Sequence, residues 1–245
     1  MSFLDRTEML IGSEAVSRLA DAKVLVFGVG GVGGHVCEAL VRAGIGEIHI
    51  VDGDTVAESN INRQIIATRD NIGQPKVEAM AERIRSINPE CRVKGFQMFF
   101  LPGETSDSMD FSGYDYVVDA VDTVAAKLEI IEKAKAAGVP VISSMGTGNK
   151  LDASQLCITD ISKTRNCSLA RVMRKELRDR GVKHLRVIYS PELPAKPEAL
   201  ETPPPGRRSV PASLVWVPGC AGLMMAGDVI LTLAGYEKEK EGGSQ

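Results

Sequence analysis

No C-x-x-C pair occurs in this sequence, and its five cysteines (Cys37, Cys91, Cys157, Cys167, Cys220) are odd in number and widely spaced. That gives no zinc-ribbon signal and favours a reducing cytosol. Nor is there an excess of one charge: the formal value of -3 argues against a uniformly basic nucleic-acid binder, while leaving room for a local patch. The start MSFLDRTEML is charged within its first few residues, so no secretory signal is visible. An apolar run long enough to cross a bilayer takes roughly 20 residues, and one stretch approaches this: LVWVPGCAGLMMAGDVILTLAG, residues 214–235. Pro218-Gly219 breaks it and Asp228 sits inside it, so it is expected to be a strand end followed by a buried helix of a soluble, cytoplasmic protein with no membrane partner. His35, His49 and His184 lack a metal-ligand spacing and are assigned no chemistry, and no internal repeat is found.

What is present is ordinary for a globular protein: 44% hydrophobic and 25% charged residues. A chain of 245 residues can bury a full core as one α/β domain or a domain with appendages. KVLVF (23–27) is a short apolar run between a helical pattern and a glycine cluster, as expected of a buried parallel strand. Helix-like sequence over 31–43 and a strand over 47–51 follow. Val77, Met80, Ala81, Ile84 and Ile87 recur at helical spacing until Pro89. Strands at 116–120 and 140–144 flank a helix at 124–137. This alternation predicts a Rossmann-like, doubly wound, mostly parallel α/β sheet. Its core with N-terminal helices would occupy residues 1–150. A C-terminal α+β extension of the same domain would occupy 151–235, with strands at 156–159 and 185–189 and a charged helix between them. Eight of the twelve prolines fall between Pro191 and Pro218, which predicts a long surface loop over 191–211, and residues 236–245 read as a solvated tail.

Gly28, Gly30 and Gly33 form G-x-G-x-x-G after a strand and at the opening of a helix. Glycine there permits a tight turn, close approach to a phosphate and helix–strand packing, and the freed N–H groups face an anion. Asp52 ends the next strand, where a carboxylate accepts from ribose hydroxyls. Alone this reads as an adenine-nucleotide site. ATP, unlike a dinucleotide, brings three phosphates with Mg²⁺ and needs cations on the phosphoryl oxygens and a carboxylate for the metal. Arg63, Lys76 and Asp122 supply those groups at successive strand ends. Singly, Arg63 and Lys76 also read as solvated charges and Asp122 as a helix N-cap.

Together, G-x-G-G-x-G, V-D-x-D, S-N-x-N-R-Q, a lysine on the next helix and V-D-A-V-D resemble the ubiquitin-activating-enzyme-like adenylyltransferases, the superfamily of ThiF and MoeB. The resemblance implies that Asp52 holds the ribose, that Asn60 and Arg63 contact phosphates, that Lys76 contacts the triphosphate and that Asp122 binds Mg²⁺. Gly31, Asp54 and Gln64 match the same motifs and are assigned to the nucleotide site, Gln64 in a supporting role. Arg6 of FLDRTEMLIG matches an arginine that reaches across a homodimer to the partner's ATP. Members that activate sulfur-carrier proteins usually hold a structural zinc with two C-x-x-C pairs, which this chain lacks. Instead MGTGNKLDASQLCITDISKT, NCSLARVMRKELRDRG, VIYSPELP and PGCAGLMMAGDVI resemble the tRNA threonylcarbamoyladenosine dehydratase branch. That branch uses ATP to activate a threonyl carboxylate on a modified adenosine beside the anticodon, after which ring closure expels AMP.

The residues offer a separate test of that choice. On the helix after Asn166, the apolar Leu169, Val172, Met173 and Leu177 are expected on one face and Arg171, Arg174, Lys175 and Arg178 on the other. Nine Lys/Arg face two acids between Lys163 and Arg186, a stripe suited to an RNA backbone as well as to plain solvation. Cys167 sits where a helix dipole and arginines raise thiol reactivity, yet adenylation with internal ring closure needs no thiol. A cysteine desulfurase or sulfur-acceptor protein stays open as a partner besides the tRNA. Three other readings stay open: adenylation of the C-terminal glycine of a ubiquitin-like sulfur carrier; a non-catalytic nucleotide-sensing module that binds RNA or a protein partner; and an NAD oxidoreductase.

Overall fold

The computed structural model describes residues 2–198 and 211–236. Two short helices, α1 (Asp5–Ile11) and α2 (Ser13–Asp21), lead into β1 (Lys23–Phe27), α3 (Gly33–Arg42) and β2 (Glu47–Val51). Then come α4 (Lys76–Ile87), β3 (Arg92–Phe96), β4 (Tyr116–Asp119), α5 (Val124–Ala136) and β5 (Val141–Ser144). The chain continues as β6 (Cys157–Asp160), α6 (Ser168–Asp179), β7 (Arg186–Tyr189) and α7 (Trp216–Leu233). The strands form one seven-stranded sheet in the order β3-β2-β1-β4-β5-β7-β6, parallel except where β6 runs against β7. The expected doubly wound sheet is thus observed, and the C-terminal strands extend it without a break.

Alternation along β1 explains the two layers. Val24 and Val26 point into a core shared with α2, α3, α4 and α7, whereas Leu25 and Phe27 point into one built with α5 and α6. A strand covered on both faces reads as a continuous apolar run, which is why KVLVF was recognisable. β3 escaped the sequence reading for the opposite reason. It is an edge strand with an exposed, polar pattern, held to β2 by its parallel ladder and by Arg92, which donates to Glu47 at 2.8 Å.

Residues 214–217 hold no strand end: the chain enters α7 directly at Trp216, and Pro218 falls in the first turn, where its missing N–H costs nothing. By length and mean hydropathy (1.5) α7 could cross a membrane. In this fold it is a core helix instead, crossing α3 so closely that a Cβ on Gly222 would lie 2.3 Å from the Val32 carbonyl oxygen. Its Asp228 carboxylate accepts two hydrogen bonds from the Arg186 guanidinium on β7, which satisfies a charge buried in an apolar helix. Of the proline-rich stretch expected over 191–211, residues 199–210 lie outside the described residues, as does the tail from 237.

One ionic cluster joins two helices and another ties a helix to the sheet. Glu38 on α3 accepts from Arg83 of α4 (2.6 Å) and from Arg42 (2.8 Å). Burial pushes its carboxyl pKa up, but the hydrogen bonds from Arg83 and Arg42 outweigh this and hold it below the usual value. Lys127 on α5 is fully buried, 2.8 Å from the equally buried Asp119 at the end of β4.

Replacing Lys127 with Met leaves Asp119 buried without its cation and should lower the unfolding free energy by about 3–5 kcal/mol. Urea unfolding of the two proteins measures this. The depressed Glu38 pKa stabilises the fold above the unfolded carboxyl value and is lost as pH falls through the folded one. The stability gap between the parent protein and Glu38→Gln should therefore narrow from about pH 7 to about pH 4. A constant gap in urea midpoints would remove the linkage.

Candidate active site

The strand order reverses between β1 and β4, and at such a switch point the carboxyl ends of the strands open a crevice. A cavity of about 1160 Å³ lies there. Gly28, Gly30 and Gly31 line it from the β1–α3 turn. Gly33 does not: it packs behind the turn, where a Cβ would sit 1.8 Å from the Gly28 carbonyl oxygen, so any side chain would break the turn.

Asp52 joins the loops after β1 and β2. One carboxylate oxygen accepts from the Val29 N–H at 2.8 Å and the other from the Asp54 N–H at 2.9 Å. The SNINRQ segment folds into a compact helical turn over Glu58–Asn60, with the Asn60 side-chain oxygen accepting from Ala57 N–H at 3.2 Å. Arg63 is half-buried and donates to the Ser59 carbonyl and to Asn62 Oδ1, both at 2.9 Å. Lys76 opens α4 and is buried, with its Nζ 2.9 Å from Asp54 Oδ2. Gln64 is buried against the glycine turn, and among the described residues its Oε1 is the buried side-chain polar atom with no hydrogen-bond partner. Asp122 stands exposed on the cavity rim just before the N-cap residue of α5, which is Thr123, so the N-cap reading of Asp122 is corrected.

The structure thus brings Gly28, Gly30, Gly31, Asp52, Asp54, Asn60, Arg63, Gln64, Lys76 and Asp122 to one cavity. Arg6 is not among its lining residues: it lies exposed on α1. Phe99 closes another side, its ring so near Gly53 that a Cβ there would clash at 2.7 Å. The remaining wall comes from Met145–Lys150, Asn166–Leu169, Pro194, Pro211 and Ser213. Cys167 is the N-cap residue of α6, where its Sγ accepts from the Ala170 N–H at 3.5 Å. Asn62 Nδ2 donates to the Ser213 carbonyl at 3.0 Å and joins this wall to the SNINRQ turn.

The sequence reading missed what supports Asp122. Asp119 accepts from Ser143 Oγ at 2.5 Å, and Lys127 Nζ donates to the Val121 carbonyl at 3.1 Å. The clue was an acid within the wholly buried strand YVVD, which requires a partner. On α6, Met173 and Leu177 are buried as the period predicts and Leu169 is half-buried, with Ala170 buried beside them, but Val172 is 42% exposed and leaves the apolar face. Arg171, Lys175 and Arg178 are exposed, whereas Arg174 is half-buried and donates to Thr164.

Comparison with known proteins follows the same lines. A tRNA threonylcarbamoyladenosine dehydratase of Bacillus subtilis is 40% identical over 237 residues, 93% of each chain. One of Escherichia coli is 44% identical over 177 residues, 72% of this chain and 66% of the relative. The crystal structure of E. coli tRNA N6-threonylcarbamoyladenosine dehydratase, TcdA, in complex with ATP superposes with a TM-score of 0.81 at 34% identity, covering 95% of each chain. The ThiF family model matches residues 4–244, and the chain belongs to the ThiF family.

Proposed function

We propose that the protein is an ATP-dependent dehydratase that adenylates the threonyl carboxylate of threonylcarbamoyladenosine beside the anticodon of tRNA and closes it into a ring. The observation that carries this reading is that Arg63, Lys76 and Asp122 gather around the glycine turn in one cavity. Relatives named for the same reaction support it. Hydride transfer would require none of the three side chains; adenylation of a sulfur carrier would use the same three, and the relatives named for the dehydration are what favour tRNA as the substrate.

The substrate carboxylate attacks the α-phosphorus of ATP, the bond to the bridging oxygen breaks, and pyrophosphate leaves with the electron pair. The glycine turn and the N-terminus of α3 offer backbone N–H groups to the phosphates. Arg63 and Lys76 stabilise the charge that builds on the leaving group. An ammonium group has three donors, so Lys76 keeps two for phosphate oxygens while the third holds Asp54. Asp52 and Asn60 face the ribose and phosphates, and the orphaned Gln64 Oε1 is an acceptor that an arriving ligand donor satisfies. Intramolecular attack on the acyl carbon then expels AMP and closes the ring, with net loss of one water.

Among the described residues no group of three His, Cys, Asp or Glu could hold a metal. Mg²⁺ needs no such cluster, because one carboxylate with phosphate oxygens and waters is an ordinary set of ligands for it, and Asp122 fits that part. When bound, Mg²⁺ neutralises phosphate charge. Arg6, exposed on α1 beside the exposed Met9 and Leu10, would act in the cavity of a second copy in a homodimer.

The test is to incubate the protein with ATP and bulk tRNA and to weigh the released nucleosides. A modified adenosine lighter by one water is expected. ATP binding without AMP formation would mark a nucleotide-sensing module, and stimulation of pyrophosphate release only by a carrier ending in Gly-Gly would assign the sulfur-carrier reaction. Arg63→Ala or Lys76→Ala should each lower turnover by about 10²-fold, read as tRNA-stimulated pyrophosphate release. Unchanged rates would remove both from the transition state.

A further inference from the structure

Helix α6 does two things at once. Its N-terminal residues Asn166, Cys167 and Ser168 line the main cavity, and the helix then runs 12 residues, about 18 Å, away from it over the surface. Along that length Arg171, Lys175 and Arg178 stand exposed at i, i+4 and i+7, and Lys183 follows just beyond the helix end. These side chains border a hollow of about 370 Å³.

Neighbouring acids do not neutralise them. Among the described residues Arg171, Lys175 and Lys183 make no ion pair, and Arg178 has only the adjacent Asp179 at 3.8 Å. Glu176, also on α6, is turned to Arg180 at 2.8 Å. Asp160, next in sequence to the hollow's Ile161, already accepts from the Ser162 N–H at 2.8 Å and lies 3.3 Å from His184. Arg174 has a different task from the one its spacing suggests. Its guanidinium donates to the Thr164 carbonyl at 2.9 Å and to Thr164 Oγ1 at 2.6 Å, bracing the turn that forms the floor of the hollow.

We infer that the Arg171–Lys175–Arg178 face of α6, extended by Lys183, is the track on which the phosphate backbone of the RNA substrate docks, leading its modified adenosine into the main cavity. This rests on the tRNA reading above and adds the surface that receives the tRNA. The hollow has no exposed aromatic or large aliphatic anchor of the kind that dominates protein–protein interfaces, since Ile161 at its base is buried. Arginine forks match phosphate oxygens, and each phosphate neutralised releases condensed counterions. The track also ends where the chemistry must occur.

The experiment compares tRNA binding of the parent protein with that of a variant carrying Arg171→Ala, Lys175→Ala and Arg178→Ala, across a range of salt concentrations. The variant should bind bulk tRNA at least tenfold more weakly at low salt. Its dependence of log affinity on log salt should be shallower by about 2–3, as each lost phosphate contact removes about 0.7–0.9. ATP affinity should stay the same, and Arg171→Lys with Arg178→Lys should keep the parent's salt slope because the charge is retained. Removing exposed cations elsewhere, Arg85→Ala with Lys135→Ala, should leave tRNA binding as it was.

A triple variant that binds tRNA with the parent's affinity and slope overturns the docking track. So does one that keeps its tRNA affinity but loses retention on poly-glutamate, which would make this face a dock for an acidic protein. The two levels separate cleanly. If the parent neither binds nor dehydrates tRNA, the substrate assignment itself fails, whereas a parent that does both while the variant matches it defeats only the track.

Discussion

An ammonium group with no access to water organises this protein's centre. Lys127 reaches from α5 into the seam between sheet and helix and touches the Asp119 carboxylate and the Val121 carbonyl, while Ser143 on β5 donates to the same Asp119. A charge buried that deeply tolerates only one arrangement of its partners, so the end of β4, the start of α5 and the end of β5 are fixed relative to one another. Asp122 projects from the short segment between those anchors. The rim carboxylate therefore projects from a backbone that is held on both sides.

The opposite wall uses looser chemistry. Lys76 and Asp54 form a pair whose lysine is buried and whose aspartate is largely in solvent, so on the proposed mechanism the cation stays in place while its partner gives way to phosphate oxygens. Asp52 acts as a staple: a single side chain ties the glycine turn to the loop after β2, and the spacing of those two loops is set before any nucleotide arrives.

How much of this the sequence disclosed depended on whether a residue's neighbours lie along the chain or across it. The glycine turn, the acid ending β2 and the SNINRQ turn are local devices, and their spacing carried them. β1 announced itself through double-sided burial, whereas β3, solvated at the sheet edge, had no apolar rhythm to read. Lys127 looked like any lysine in a helix, because the Asp119 that explains it lies on another element. Arg174 departed from its expected role for a similar reason: the helical period predicts direction but not the turn at Thr164 that captures the arginine.

The hydrogen bond from Asn62 to the Ser213 carbonyl links the SNINRQ turn to the peptide just ahead of α7. Pro211 and Ser213 also line the cavity, and Ala212 is tied to Asn149 through both its N–H and its carbonyl. One polar strap therefore fixes the SNINRQ turn and the loop after β5 against the same peptide, and this side of the cavity is assembled from three distant stretches of chain with no domain boundary between them.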